Sequence, residues 1–309
     1  MKVVILGLGI QGKKRLAVAG SDAVTTVDPV VDQAAYRRIE DVPLDSYNAA
    51  VVCTPDQYKI DILRYLLKQG KHVLVEKPLV AERNEDLREL KQLAEKNRVT
   101  CWTAYNHRFE PNLVRLREVV QSGALGKIHH VSFFYGNGTA ADVRRSPWRD
   151  KGMGVIPDLG SHLLDLTDFI FGARPDRLTP WALHRFENQA YDHVVLGAQR
   201  PISLQFEMTL MSWRNSFRAE VVGEFGSAHV NCLCKWGPSS LTLRKRIFPS
   251  GKPTEHVETL EQPDPTWVLE YQAFKEMCQQ PRHGIDKDLW INTILNQLEN
   301  EDKELAWVA

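Results

Sequence analysis

Short apolar runs, the first two closed by Gly7 and Asp28, alternate with amphipathic stretches through the first hundred residues. Lys2 to Leu6 is a β-branched run ending in Gly7, and Gln11 to Ala19 then reads as a helix. A second strand covers Val24 to Val27 and ends at Asp28. The alternation continues with a strand at Ala49 to Cys53, a helix at Tyr58 to Gln69, a strand at His72 to Val75, a helix at Asn84 to Asn97 and a strand at Thr100 to Ala104. This pattern predicts a parallel doubly wound sheet, with ligands at the carboxyl ends of the strands. Between Asp28 and Ala49 there is little room for a crossover helix, so an abbreviated connection is expected there.

After a helix from Pro111 to Ser122 the texture changes. Ile128 to Tyr135, Ile202 to Thr209, Phe217 to Val222 and Leu241 to Phe248 are alternating or β-branched and aromatic runs between turn-rich segments, which predicts an antiparallel sheet. A helix from Asp158 to Phe171 precedes most of them, and Trp267 to Cys278 and Asp288 to Asn300 read as helices. The expected fold class is α/β. A parallel doubly wound domain over 1–108 is followed by a second α/β domain with a mainly antiparallel sheet over 109–309, the boundary lying near Asn106 to Asn112.

Composition narrows the function classes. At 309 residues, 43% hydrophobic and 25% charged, the chain has room for two cores. Lysine plus arginine equals aspartate plus glutamate at 39 each, so no net field draws it to nucleic acid or an anionic membrane. The apolar start is too short for a signal sequence and no uncharged stretch is long enough to span a bilayer, which places the expected location in the cytoplasm. Cys53, Cys101, Cys232, Cys234 and Cys278 are an odd set read as reduced thiols, and Cys232-Leu-Cys234 lacks the spacing of a zinc or redox pair.

Gly7-Leu-Gly9-Ile-Gln11-Gly12 is a G-x-G-x-x-G turn that follows a strand and opens a helix, with Asp28 at the end of the next strand. Gly7 permits the tight turn, Gly9 lets backbone approach a pyrophosphate, Gly12 lets helix and strand pack closely, and the helix start at Ile10 and Gln11 offers N–H groups. Asp28 would accept hydrogen bonds from ribose hydroxyls and repel a 2′-phosphate, so the expected cofactor is NAD rather than NADP. The fourth strand ends in Val75-Glu76-Lys77-Pro78-Leu79, placing a carboxylate, an ammonium and a rigid ring where a nicotinamide should lie. The bland alternative is a surface ion pair beside a turn proline. Pro78 restricts Lys77 towards an extended conformation, and a lysine so held beside a cationic ring could exchange protons near neutral pH.

Glu76-Lys77-Pro78 after such a glycine turn resembles the Gfo/Idh/MocA family of oxidoreductases, and the resemblance runs through most of the chain. Cys53-Thr54-Pro55-Asp56 is similar to the family's Thr-Pro segment on the nicotinamide side, and Tyr105-Asn106-His107-Arg108-Phe109-Glu110-Pro111 to its Asn-x-Arg-Phe-x-Pro junction. Trp148-Arg149, Gly152-Met-Gly154 and Asp158-Leu-Gly-Ser-His162-Leu-Leu-Asp165 resemble its later elements. The resemblance implies a Rossmann domain followed by an open, mainly antiparallel sheet whose outer face often builds a dimer or tetramer. It also implies a catalytic set of Lys77, Asp158 and His162. Taken with the glycine turn, the expected cofactor contacts are Gly7, Gly9, Ile10, Gln11, Gly12, Asp28, Thr54, Pro55, Glu76, Lys77 and Asn106, and the expected substrate contacts are Lys77, Arg149, Asp158 and His162. Two features depart from the family: Lys59 stands where it often has histidine, and the segment after Asp28 is short.

Independently of any family, Asp158 and His162 are four apart and would share a helix face, where the carboxylate can orient the imidazole. The alternative is a helix-start aspartate beside a structural histidine. Asp165 near that face reads as structural, and His162 with Asp165 or His129-His130 offers no closed metal-ligand set, so no metal is expected. His129 and His130 must face opposite sides of a strand. Arg144, Arg145 and Arg149 suit an acidic or nucleotide-linked sugar, or are simply solvated, and Trp213-Arg214-Asn215 either stacks on a sugar or ends a strand.

The expected function is hydride transfer between NAD and a hydroxyl or keto carbon of a sugar, polyol or sugar derivative, with Lys77 and His162 bracketing the reacting oxygen. The alternatives are a nucleotide-sugar or surface-polysaccharide sugar reductase, a lyase or hydrolase using held NAD as a transient oxidant, and a non-catalytic NAD-binding sensor.

Overall fold

Four consecutive fully buried residues, Val3 to Leu6, need apolar cover on both faces, which is the requirement of a central parallel strand. The structure, a computed structural model, describes residues 1–146 and 149–308. Its first elements are β1 (Val3–Leu6), α1 (Ile10–Ala19), β2 (Ala23–Val27), β3 (Ala49–Val52), α2 (Asp56–Lys68), β4 (His72–Glu76), α3 (Asn84–Asn97) and β5 (Cys101–Ala104). These five strands form a sheet in the order β2-β1-β3-β4-β5, and every pair is parallel. Because β1 lies between β2 and β3, the connections leave it to opposite sides, and the switch point falls at the Gly7 turn. No α-helix joins β2 to β3: the chain makes a single bridge from Val27 to Tyr36 and two one-turn 3₁₀ segments, Ile39–Asp41 and Leu44–Ser46. That is the short crossover the spacing predicts.

Period-two alternation sends the strand side chains to two separate cores. Val4, Leu6, Val52, Val73 and Val75 pack with Leu63, Leu66 and Leu67 of α2 and Leu87 and Leu90 of α3. Val3, Ile5, Val51 and Leu74 pack on the other face with Leu16 and Ala19 of α1 and with Tyr271 and Phe274 from much later in the chain.

The remaining elements are α4 (Pro111–Gln121), β6 (Ile128–Gly136), α5 (Ala140–Arg144), α6 (Ser161–Phe171), β7 (Thr179–His184), β8 (His193–Ala198), β9 (Ser203–Thr209), β10 (Ser216–Gly223), β11 (Gly226–Asn231), β12 (Ser239–Lys245), β13 (Thr254–Leu260), α7 (Thr266–Gln279) and α8 (Ile285–Val308). The chain divides into two units, Met1–Asn106 with Pro265–Thr293, and His107–Asp264 with the chain from Ile294 onward. The second unit is built on an eight-stranded sheet ordered β13-β12-β11-β10-β6-β9-β8-β7, antiparallel except for β6 beside β9. On β10, Phe217, Ala219 and Val221 are buried while Arg218, Glu220 and Val222 are exposed. Phe133, Phe206 and Phe217 meet in the core, and Leu163, Leu166 and Ile170 of α6 are buried. The chain is thus α/β, with a Rossmann-like parallel sheet and a separate, mainly antiparallel one.

Four strands of the second sheet escape the sequence pattern. β7 holds Pro180 and a register shift, β11 buries only Ala228 and Val230, and β13 is an exposed edge with little apolar content. β8, His-Val-Val-Leu-Gly-Ala, escapes as well, though its apolar run is mostly buried. The helix expected from Asp158 begins differently as well: Ile156–Gly160 is a π-helical turn and α-helix starts only at Ser161. Among the described residues no helix is long and apolar enough to cross a membrane.

A β-carbon at Gly12 would sit 1.7 Å from the Gly7 carbonyl oxygen, whereas one at Gly9 would meet nothing within 4 Å. Gly12→Ala is therefore expected to lower stability by about 3 kcal/mol, at the upper end of overpacking costs. Gly9→Ala, at φ −65°, should leave the thermal midpoint unchanged and show its effect only in titrations with NAD. Equal thermal midpoints for the two variants would contradict this packing.

Candidate functional site

The turn after β1 is tied to its neighbours by backbone geometry that glycine permits. Gly7 has φ +85°, and a β-carbon there would lie 2.7 Å from the Cys53 carbonyl oxygen. Its N–H donates to the Val27 carbonyl (2.8 Å), and the next N–H, from Leu8, donates to Asp28 Oδ2 (2.7 Å). Asp28 Oδ1 accepts from Val30 and Val31, both at 2.9 Å. Burial works to raise the Asp28 pKa, but these three N–H donors and the Arg37 guanidinium outweigh it and hold the carboxyl below its ordinary value. Arg37 itself donates to the Val31 carbonyl (2.9 Å), within the loop that follows Asp28.

Two observations fit a dinucleotide at this edge. Gly9 faces open space at the start of α1, where Ile10 and Gln11 are exposed and the first-turn N–H groups point outward. Thr54 Oγ1, at the end of β3, is buried without a hydrogen-bond partner among the described residues. Pro55 caps α2 beside it.

Glu76 closes β4 and is held twice. Its carboxylate takes the Arg15 Nε at 2.6 Å, and Arg15, only 2% exposed, also pairs with Glu270 at 2.6 Å and lies 4.2 Å over the Trp267 ring. Its carbonyl oxygen accepts from Lys59 Nζ at 2.6 Å. Lys77 follows, half-buried, in a cis peptide with Pro78. Asn106, expected at the cofactor, is buried and donates its amide to Thr266 Oγ1 at 2.8 Å.

In the second unit His162 lies on the first turn of α6, and its ring stacks on that of His107 with centroids 4.1 Å apart. Tyr135 closes on both rings. Lys235 Nζ sits 3.0 Å from His107 Nε2. A charged lysine at this contact donates, and the imidazole then accepts with Nε2. Asp158 lies on the π-helical turn, 40% exposed, with Arg149 at 3.7 Å. Trp148 lies outside the described residues. Arg108 binds Asp165 and Asp168, which explains Asp165 structurally. Glu110, buried at the start of α4, accepts from Cys234 Sγ (2.8 Å) and Ser239 Oγ (3.3 Å). Burial raises the Glu110 pKa despite these donors, and burial together with that carboxylate pushes the Cys234 thiol up to about 12.

The first unit thus brings together Gly7, Gly9, Ile10, Gln11, Gly12, Asp28, Thr54, Pro55, Glu76 and Lys77 along the carboxyl edge of one sheet. The second holds Asp158, His162 and Arg149 around the start of α6. Sequence reading missed the partners of these groups: Arg15 on Glu76, and the His107–Lys235 pair against His162. His107 sits within a motif the sequence displays, but its stacking partner is 55 positions away.

Two family models match the chain, one described as an oxidoreductase family with an NAD-binding Rossmann fold over residues 19–105, the other as the GFO/IDH/MocA C-terminal domain over residues 113–229. The chain is 26% identical over 218 residues to scyllo-inositol 2-dehydrogenase (NADP(+)) of Bacillus subtilis, covering 63% of this chain and 59% of that enzyme. It is 28% identical over 221 residues to trans-1,2-dihydrobenzene-1,2-diol dehydrogenase of Mus musculus, covering 70% and 65%. The chain spans less than two thirds of the length of the curated relatives it matches. A structure of levoglucosan dehydrogenase in complex with NADH shares the fold, with a TM-score of 0.81 at 17% identity over 97% of this chain and 96% of that one.

Because its folded pKa is lowered, Asp28 contributes stability that is present above the ordinary carboxylate value near 4 and is lost as pH falls through the folded value. Between about pH 6 and pH 3, the urea midpoint of the wild-type protein should therefore drop further than that of Asp28→Asn. Parallel acid limbs would show that the carboxylate is not held as described.

Proposed function

The chain belongs to the Gfo/Idh/MocA oxidoreductase family, and from that premise we propose that it transfers a hydride between NAD and a hydroxyl or keto carbon of a sugar or polyol. The observation that carries the reading is the carboxyl edge of the parallel sheet. A glycine turn braced by Asp28 and a lysine whose preceding residue is anchored by two helices stand on that same edge. The family's C-terminal domain model and the polyol dehydrogenases among its relatives support the substrate class.

Bound at the Gly7 turn, NAD supplies the hydride acceptor or donor. Gly9 leaves room for the pyrophosphate, the first N–H groups of α1 meet its charge, and Asp28 accepts from the ribose. The carboxylate that favours a free 2′-hydroxyl disfavours a phosphate there, which is the basis for NAD over NADP. Lys77 and His162 are the acid–base groups that take up or return the hydroxyl proton, Asp158 supports His162, and Arg149 contributes to substrate binding. Location in the cytoplasm is part of the same reading, supported by five free cysteines. So is a homodimer or homotetramer, supported by outward-facing Trp181 on β7 and Val222 on β10, which leave apolar surface exposed on the larger sheet.

Lys77→Met is expected to lower turnover at least about 100-fold, the lower bound of a general acid–base contribution, with NAD affinity largely intact. Sugars, polyols, sugar acids and nucleotide sugars assayed by NADH absorbance in both directions would supply the substrate for that measurement. Near-normal turnover in the variant would refute the lysine's role.

A further inference from the structure

Lys59 is among the most deeply buried charged side chains of the molecule, 1% exposed, on the first turns of α2. Its Nζ makes three contacts: the Glu76 carbonyl oxygen at 2.6 Å, the Pro78 carbonyl oxygen at 2.8 Å and Asp56 Oδ1 at 2.7 Å. The two carbonyls belong to Glu76 and Pro78, the residues on either side of Lys77, so one ammonium spans the backbone that carries Lys77. An ammonium has three donors, and all three are used. A neutral amine has two donors and a lone pair, which would face one of the oxygens.

We propose that Lys59 is a positioning residue for Lys77, fixing the backbone on both sides of it only while the Lys59 amine is protonated. This rests on the hydride-transfer reading above, in which Lys77 handles the substrate proton. A one-ångström displacement of a reacting group costs on the order of 100-fold in rate, so a clamp on that backbone bears directly on turnover.

The groups that face Lys59 are Asp56 on its own helix, Glu76 and Lys77 at the end of β4, and Cys53 at the end of β3. Burial, the largest influence, pushes the Lys59 ammonium below the ordinary lysine range; Asp56 and Glu76 oppose that, and Lys77 adds to it. Rising pH therefore releases the clamp earlier than a free lysine would titrate.

The test compares Lys59→Met, Lys59→Gln and Asp56→Asn with the wild-type protein by steady-state kinetics, NAD titration and hydrogen exchange of the segment from Val75 to Val80. Lys59→Met should lower kcat at least about tenfold while the NAD Kd stays within about threefold, and Lys59→Gln, with two donors, should fall between it and the wild type. Exchange in the segment should quicken in the same order. Asp56→Asn, which removes only a half-exposed partner, keeps both carbonyl contacts and should bring the alkaline decline of kcat to lower pH. Unchanged kcat or unchanged exchange in Lys59→Met would each overturn the proposal, as would an unmoved pH profile in Asp56→Asn. If the wild-type protein turns over no sugar or polyol, the activity reading fails while the exchange measurement still decides whether the clamp exists.

Discussion

One residue, Glu76, holds the end of β4 to helices on opposite faces of the parallel sheet. Its carboxylate binds Arg15 of α1 and its carbonyl binds Lys59 of α2, both cations being almost fully withdrawn from water. Removing one partner of a buried ion pair leaves an uncompensated charge and costs about 3–5 kcal/mol, which applies to Arg15 and Glu76, whereas Lys59 makes a charge-assisted hydrogen bond to a backbone carbonyl. The arrangement couples the helix that opens at the glycine turn to the strand that delivers Lys77. Cofactor edge and candidate proton-transfer group therefore share one rigid support.

The same logic of buried charge recurs in the second unit, with weaker links. Glu110 receives a thiol and a hydroxyl, and Lys235 meets the ring stacked on His162. Cys234 and Lys235 are consecutive, so the connection between β11 and β12 touches both the start of α4 and the histidine stack. A segment that looks like an irregular loop is in fact a brace for the imidazole on α6.

The parallel sheet was legible because β1 and β3 are apolar at every position, β1 and β2 end at Gly7 and Asp28, and helical stretches alternate with the strands. The antiparallel sheet was legible only where one face alternates cleanly, as at Phe217 to Val222. It was obscured where a proline sits in an edge strand, or where only Ala228 and Val230 mark the inward face. For the site, the sequence displayed the residue types but not what holds them. Lys59 stood out as a departure from the family, yet its targets are two backbone carbonyls, and backbone acceptors leave no trace in a sequence. The π-helical turn at Asp158 was hidden for a related reason: α and π turns use the same residues, and tertiary packing selects between them.

The single parallel pairing in the larger sheet has a kinetic consequence. β6 and β9 are neighbours, yet the chain between them contains α5, α6, β7 and β8, and their pairing joins His130 to Ser203. Hairpins can zip from their turns, but this pair must close a loop of tens of residues before it gains any ladder bond, and the entropy of that closure slows assembly. The helix bearing His162 lies inside the closed loop. Its docking is tied to the same non-local closure that joins β6 to β9.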